Sequence, residues 1–215
     1  REKSSKFGAK LIIDGTQSVG AMPFDVSKIQ PDALICSGYK WLFGPYGIGL
    51  GYFGEAFDNG IPIEESWMNR KNSEDFRGLV NYQDEYRSMA GRYNVGETSN
   101  FITLPMTEAA LTQIKNWGIQ NIQNYCENLT QKYIPKFEEM GCQVESPTWR
   151  GHHLFGVRLT DNFDFEELKN QFSKHKVFVS FRGNAIRIAS HVFNSDEDLD
   201  KLIRCFEKAR KRVLV

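Results

Sequence analysis

Two short segments carry side chains that could do chemistry together, Leu11-Ile-Ile-Asp-Gly-Thr-Gln17 and Leu34-Ile-Cys-Ser-Gly-Tyr-Lys40. Each is a short apolar run that reads as a buried strand and ends abruptly in polar residues. In an open α/β sheet, ligands are held at the carboxyl ends of the strands. One strand then delivers a carboxylate, Asp14, and an amide, Gln17. The other delivers a hydroxyl, a phenol and an amine, from Ser37, Tyr39 and Lys40. A carboxylate beside a lysine amine is the pair that pyridoxal phosphate uses. The lysine forms a Schiff base with the aldehyde, and the acid keeps the pyridine nitrogen protonated so that the ring draws electrons.

Several elements must position these groups. Phe43-Gly-Pro-Tyr-Gly-Ile-Gly-Leu-Gly-Tyr-Phe-Gly54 follows the lysine and reads as a glycine-rich turn into a strand at Ile48–Phe53. Gly49, Gly51 and Gly54 match a dinucleotide fingerprint, but such a motif closes a strand and opens a helix. The turn chemistry of Asp58-Asn-Gly-Ile-Pro62 comes next instead, so the match is rejected. Residues 55–100 are polar and aperiodic and read as long loops, which in a compact domain are usually functional or make subunit contacts.

Pro105 suits a first helical turn, and Ala110, Ile114, Trp117, Ile122, Tyr125, Leu129, Tyr133 and Phe137 keep near-helical spacing up to Gly141, with a break at Gly118. From Cys142 the pattern becomes a compact α+β one: strand at His153–Leu159, helix at Asp164–His175, strands at Val177–Phe181 and Ala185–Ala189. A final amphipathic helix, Ser195–Arg212, is capped by Ser195 and Asp196.

Composition excludes other classes. The chain has 215 residues, 40% of them hydrophobic, enough to bury a core. Its 27 basic and 27 acidic residues cancel, so no nucleic-acid or membrane-surface partner is indicated. No membrane span and no apolar signal region stand out. Cys36, Cys126, Cys142 and Cys205 lie far apart with no Cys-x-x-Cys pair, which argues against a zinc site or a disulfide framework and fits a cytoplasmic protein. His152 and His153 point to opposite faces of a strand and do not share a metal ion.

Asp-Gly-Thr-Gln followed by Ser-Gly-Tyr-Lys-Trp-Leu-Phe-Gly-Pro-Tyr-Gly-Ile-Gly resembles the cofactor core of the class V aminotransferase family of fold-type I pyridoxal phosphate enzymes. That family includes cysteine desulfurases, selenocysteine lyases, kynureninases and small-molecule aminotransferases. The resemblance continues through Gly96-Glu-Thr-Ser-Asn100 and through Ala185-Ile-Arg-Ile-Ala-Ser-His-Val-Phe-Asn-Ser195. It implies an α/β chain: residues 1–104 as the C-terminal part of the cofactor-binding large domain, 105–141 as a long connecting helix, and 142–215 as a small α+β domain. It also implies that the chain starts midway through the large domain.

The resemblance implies roles residue by residue. Lys40 holds the cofactor and shuttles a proton at the substrate α-carbon. Asp14 pairs with the ring nitrogen and Gln17 donates to the ring hydroxyl oxygen. Ser37 and Tyr39 give hydroxyls to the phosphate; tyrosine stands where desulfurase-like members carry histidine, as in kynureninase-like members. Thr98 reaches across a homodimer to the partner's phosphate, although Glu97 stands where many members have glycine and would repel that anion unless turned away. Arg187 grips the α-carboxylate of a small amino-acid substrate with its planar fork, and Arg182 is a second candidate.

No cysteine lies between Val177 and Arg187, where a desulfurase needs a thiol nucleophile. An aminotransferase-like enzyme is therefore the leading reading, and a lyase of the desulfurase, selenocysteine lyase or kynureninase type the alternative. A catalytically silent, dimer-forming module and a dinucleotide-dependent oxidoreductase rank below both.

Overall fold

In the computed structural model, which describes residues 1–211, the chain divides into two compact units, Arg1–Asn116 and Trp117–Val215. The first opens with a short helix α1 (Glu2–Lys6) and strand β1 (Ile12–Asp14). A one-turn helix α2 (Val26–Ile29) follows, its first turn capped by the Asp25 carboxylate, which accepts the Ser27 N–H. Strand β2 (Ala33–Ser37) then pairs parallel to β1, and β3 (Gly49–Phe53) pairs antiparallel to β2, giving the order β1-β2-β3.

The buried Asp32 anchors the start of this sheet. Its carboxylate accepts the Leu11 N–H at 2.7 Å and meets Arg1 at 2.6 Å. Burial is uneven: Ala33, Leu34 and Cys36 of β2 are buried, but Ile12 of β1 is 55% exposed. The expectation that both strands are buried therefore holds for β2 only, because β1 is an edge strand with no neighbour on its outer side among the described residues.

Gly49 and Gly51 lie inside β3, and Gly54 leads into a single 3-10 turn, Glu55–Phe57. No α-helix opens there, so the geometry of a dinucleotide fingerprint is missing. Three more 3-10 turns, at Trp67–Asn69, Gly78–Val80 and Met89–Tyr93, punctuate the long polar stretch. Arg70 knits part of it together by pairing with Glu65 at 2.5 Å and lying 4.2 Å over the Tyr86 ring.

The expected long helix is three helices: α3 (Thr103–Trp117), α4 (Ile119–Thr130) and α5 (Ile134–Glu139). Gly118, at φ +79°, makes the first break in a region that side-chain-bearing residues rarely enter. Asn100 starts α3, its side-chain oxygen accepting the N–H groups of Ile102 and Thr103.

The second unit carries an antiparallel sheet in the order β4-β5-β7-β6, from β4 (Gln143–Val144), β5 (Leu154–Arg158), β6 (Ser180–Arg182) and β7 (Ala185–Ala189). Helices α6 (Phe165–Lys174) and α7 (Asp196–Ala209) pack against each other. One core joins Phe155 and Val157 of β5, Ile186 and Ile188 of β7, Leu168 and Phe172 of α6, and Leu202 and Phe206 of α7. Phe206 is fully buried and meets the rings of Phe137, Phe172 and Phe163 at 5.0, 5.8 and 5.9 Å.

Two local expectations change. The strand foreseen at Val177–Phe181 begins only at Ser180, because Lys176 turns at φ +54° and the Val177 N–H closes back on Phe172. Asp198, not Asp196, completes the start of α7, its carboxylate accepting the Ser195 N–H at 3.2 Å, while Asp196 pairs with Lys132 at 2.6 Å. The last residue expected in that helix, Arg212, lies outside the described residues.

Candidate functional site

Parallel pairing places the carboxyl ends of β1 and β2 side by side, with Asp14 opposite Ile35. As the chain leaves β1 it turns, and the Asp14 carboxylate accepts the Thr16 N–H at 2.9 Å. The Thr16 hydroxyl accepts the Ser37 N–H at 3.1 Å and lies 3.5 Å from the Ser37 hydroxyl. The Thr16 hydroxyl, the Thr16 N–H and the Lys40 ammonium together hold the Asp14 carboxyl below the usual carboxylate range. The strand ends thus carry an acid whose charge is favoured mainly by Thr16, with a smaller attraction from the Lys40 amine.

Lys40 is half-buried in the turn after β2, with its Nζ 5.6 Å from the centre of the Tyr39 ring, which stacks on Tyr46 at 4.4 Å. Gly38 allows this turn to close: it donates to the Ile48 carbonyl at 2.8 Å, and a Cβ on it would come within 2.8 Å of that same oxygen. Phe43 sits at φ +53° and donates to the Lys40 carbonyl at 3.1 Å. A bulky residue in the left-handed region is an outlier that the surroundings must enforce, and such outliers gather at functional sites. Next to the lysine, buried Trp41 donates its indole N–H to the Gln17 side-chain oxygen at 3.0 Å, making the NH2 the donating end of that amide.

The structure therefore gathers Asp14, Gln17, Ser37 and Lys40 in one place, with Tyr39 on the same turn. Thr98 stands on a separate turn of the first unit, where the Gly96 N–H donates to the Glu64 carboxylate at 2.5 Å. Glu97 in that turn is exposed and lies at φ +60°, a conformation in which glycine is at ease. Arg187 and Arg182 belong to the second unit. Arg187 alternates with the buried Ile186 and Ile188, is half-buried on the sheet face away from the core, and lies 3.4 Å from the Ser180 hydroxyl across the strand pair. Arg182 is exposed and donates to the neighbouring Phe181 carbonyl. Strand register puts Arg158 on this same face, opposite Ala185.

Sequence reasoning passed over Thr16, Trp41 and Arg158 as site residues. A hydroxyl residue two places after an aspartate at a strand end is the legible signal for Thr16. Strand alternation would have placed Arg158 with Arg187 only once the register was known.

The aminotransferase class-V family model matches residues 2–204. The chain belongs to that family. As a class-V family member it has the α/β architecture of a fold-type I pyridoxal phosphate large domain followed by a smaller α+β region. It is similar to the uncharacterized aminotransferase YcbU of Bacillus subtilis, 26% identical over 199 residues covering 92% of this chain and 51% of the relative. It is also 26% identical to a cysteine desulfurase of Escherichia coli over 217 residues, covering 95% and 52%. Among solved structures, the cystine C–S lyase C-DES with its product cysteine persulfide superposes with a TM-score of 0.78 at 16% identity, covering 94% of this chain and 53% of that one. Another C-DES structure carries glycine covalently linked to its pyridoxal phosphate. This class-V chain thus spans about half the length of the curated relatives it matches.

The residues at the ends of β1 and β2 fit pyridoxal phosphate. An acid held ionised, an oriented amide donor, hydroxyls and a half-buried amine are the donor set that a cationic ring nitrogen, a ring oxygen, a phosphate and an aldehyde require. The thiols do not fit a nucleophile's role. All four cysteines are buried and unpaired, and burial pushes Cys126 and Cys142 up to about 11.

Proposed function

We propose that this protein is a pyridoxal phosphate-dependent enzyme acting on a small amino acid. The observation that carries the reading is the parallel pairing of β1 and β2, which brings the segments bearing Asp14 and Lys40 out of the sheet at adjoining strand ends. When bound, the cofactor supplies an aldehyde that captures amines and a ring that accepts electrons. Lys40 is the residue whose Nζ would hold it, and the same amine would serve to move a proton at the substrate α-carbon. Asp14 holds a proton at the ring nitrogen, and the Gln17 amide donates to the ring oxygen. Ser37 and Tyr39 orient the phosphate, and Thr98 serves the second site of a homodimer. Arg187 binds the substrate carboxylate, with Arg182 as its neighbour on the same face.

Of the reaction branches, elimination from a sulfur- or selenium-bearing amino acid has more support from the relatives than transamination, since desulfurases and a C–S lyase recur among them. Transamination keeps the support of the relative named an aminotransferase. A persulfide formed on one of this chain's thiols is disfavoured by their burial. Four free cysteines fit a reducing cytoplasm. Among the described residues, no helix is long and apolar enough to cross a membrane.

The test is the intact mass of the natural protein incubated with pyridoxal phosphate, before and after borohydride reduction. A trapped phosphopyridoxyl group mapping to Lys40 supports the reading. No adduct supports the silent dimer-forming module, and tight NAD binding without an adduct supports an oxidoreductase.

A further inference from the structure

We propose that Thr16 is a positioning residue, whose hydroxyl ties the end of β1 to the end of β2 and so sets Asp14 and the Lys40 turn as one piece. The assignment rests on the reading of Asp14 and Lys40 as cofactor groups.

In parallel strands the hydrogen bonds are evenly spaced, and the Gly15 N–H makes the last of them to the Ile35 carbonyl, at 2.7 Å. The next rung would run from the Ser37 N–H to the Gly15 carbonyl. That carbonyl is already taken, because it accepts the Ser18 and Val19 N–H groups at 3.0 and 2.9 Å as the chain coils away from the sheet. The Thr16 hydroxyl takes its place and accepts the Ser37 N–H at 3.1 Å. A side chain thus extends the pairing one rung past the end of β1, on the strand that leads into Lys40.

The same hydroxyl lies 3.5 Å from the Ser37 hydroxyl, and the N–H of the same residue donates to the Asp14 carboxylate at 2.9 Å. Through Thr16, the Asp14 carboxylate is therefore linked to the Ser37 backbone. An ordinary turn predicts something different. The Thr16 N–H bond to Asp14 is a common aspartate turn that any residue at position 16 preserves. Only the hydroxyl carries the pairing past the last backbone rung.

The test needs no cofactor. Carbon-13 NMR follows the Asp14 carboxyl titration in the natural protein, in Thr16→Val, which keeps the shape without the hydroxyl, and in Thr16→Ser, which keeps the hydroxyl. Expected are an upward shift of the midpoint in the valine variant, with the natural midpoint restored by serine. Amide exchange at Ser37 should become about fivefold to tenfold faster in the valine variant, the effect of one lost hydrogen bond. Equal titration in all three proteins, or serine behaving as valine does, overturns the proposal. If the valine variant does not fold, the natural protein still decides: an unprotected Ser37 amide overturns the assignment and a protected one supports it. Borohydride trapping on Lys40, run in parallel, tests the cofactor reading separately. Failure to trap removes that reading while the titration still reports on Thr16.

Discussion

In the C-terminal unit the strand residues sort cleanly. Ile186 and Ile188 point inward and are buried, Arg187 between them points away, and the buried side meets two helices in a core that includes fully buried Phe206. In the N-terminal unit Ile12, Ile35, Leu50 and Tyr52 all lie on strands, yet each is at least 40% exposed. The first unit buries Leu34, Trp41 and Leu42, but it leaves much more of its strand apolar surface exposed than the second. The second unit owes its shape to packing. The first fixes its site with short-range devices: a hydroxyl between strand ends, a glycine under the lysine turn and a phenylalanine forced into the left-handed region. The proposed cofactor groups thus lie in the less packed unit, while Arg187 sits on the outer face of the well-packed one.

The sharpest way to break this division is at the lysine. Lys40→Ala should abolish the borohydride-trapped adduct completely and leave the C-terminal unit's unfolding midpoint in urea unchanged; a moved midpoint would show that the two roles are shared. Next in size, Phe206→Ala should cost about 3–5 kcal/mol, the usual range for deleting a buried aromatic ring. Leu50→Ala should cost less than about 1 kcal/mol, as for surface changes. Equal losses in a denaturant titration would erase the contrast.

Arg187→Ala should weaken substrate binding by about 10- to 100-fold, the worth of a charged hydrogen-bonded contact, with cofactor affinity unaltered. Comparable losses of both in a binding titration would remove its assigned role. An acid titration separates the units further. Burial, then the neighbouring His153, lowers the pKa of His191 from its ordinary value of 6.5. The unfolded chain therefore binds the proton more readily, so the stability His191 contributes is present above pH 6.5 and lost as pH falls through its folded pKa. Urea midpoints at pH 7.5 and 5 should drop for the C-terminal unit, and less so in His191→Gln. The smallest effect is expected at Glu97→Gly, which should raise stability by about 0.5–1 kcal/mol by relieving the left-handed backbone.

Local chemistry made much of this legible from sequence. Polar residues ending two apolar runs located Asp14, Gln17, Ser37 and Lys40, and Gly118 marked a helix break, because each depends on a few adjacent residues. What stayed hidden depends on contacts distant in sequence. The second break in the helical stretch, after Thr130, falls within continuous apolar spacing. The exposure of Ile12 follows from β1 having one neighbour among the described residues, which no periodicity reveals. The Trp41 bond to Gln17 was not legible because it joins residues 24 apart in sequence.

The loop that carries Lys40 has a consequence in time. Residues 38–48 join β2 to β3, and the loop is closed at its base by the pairing of Ser37 with Gly49. Closing a loop of about ten residues takes roughly 10–100 ns and forming a hairpin about 1–10 μs, whereas parallel pairing must wait for a longer crossover. The amine is therefore placed early, by its own neighbours, and the acid arrives when β1 docks. Folding φ-values higher at Cys36 than at Ile13 would record that order, and the reverse would refute it.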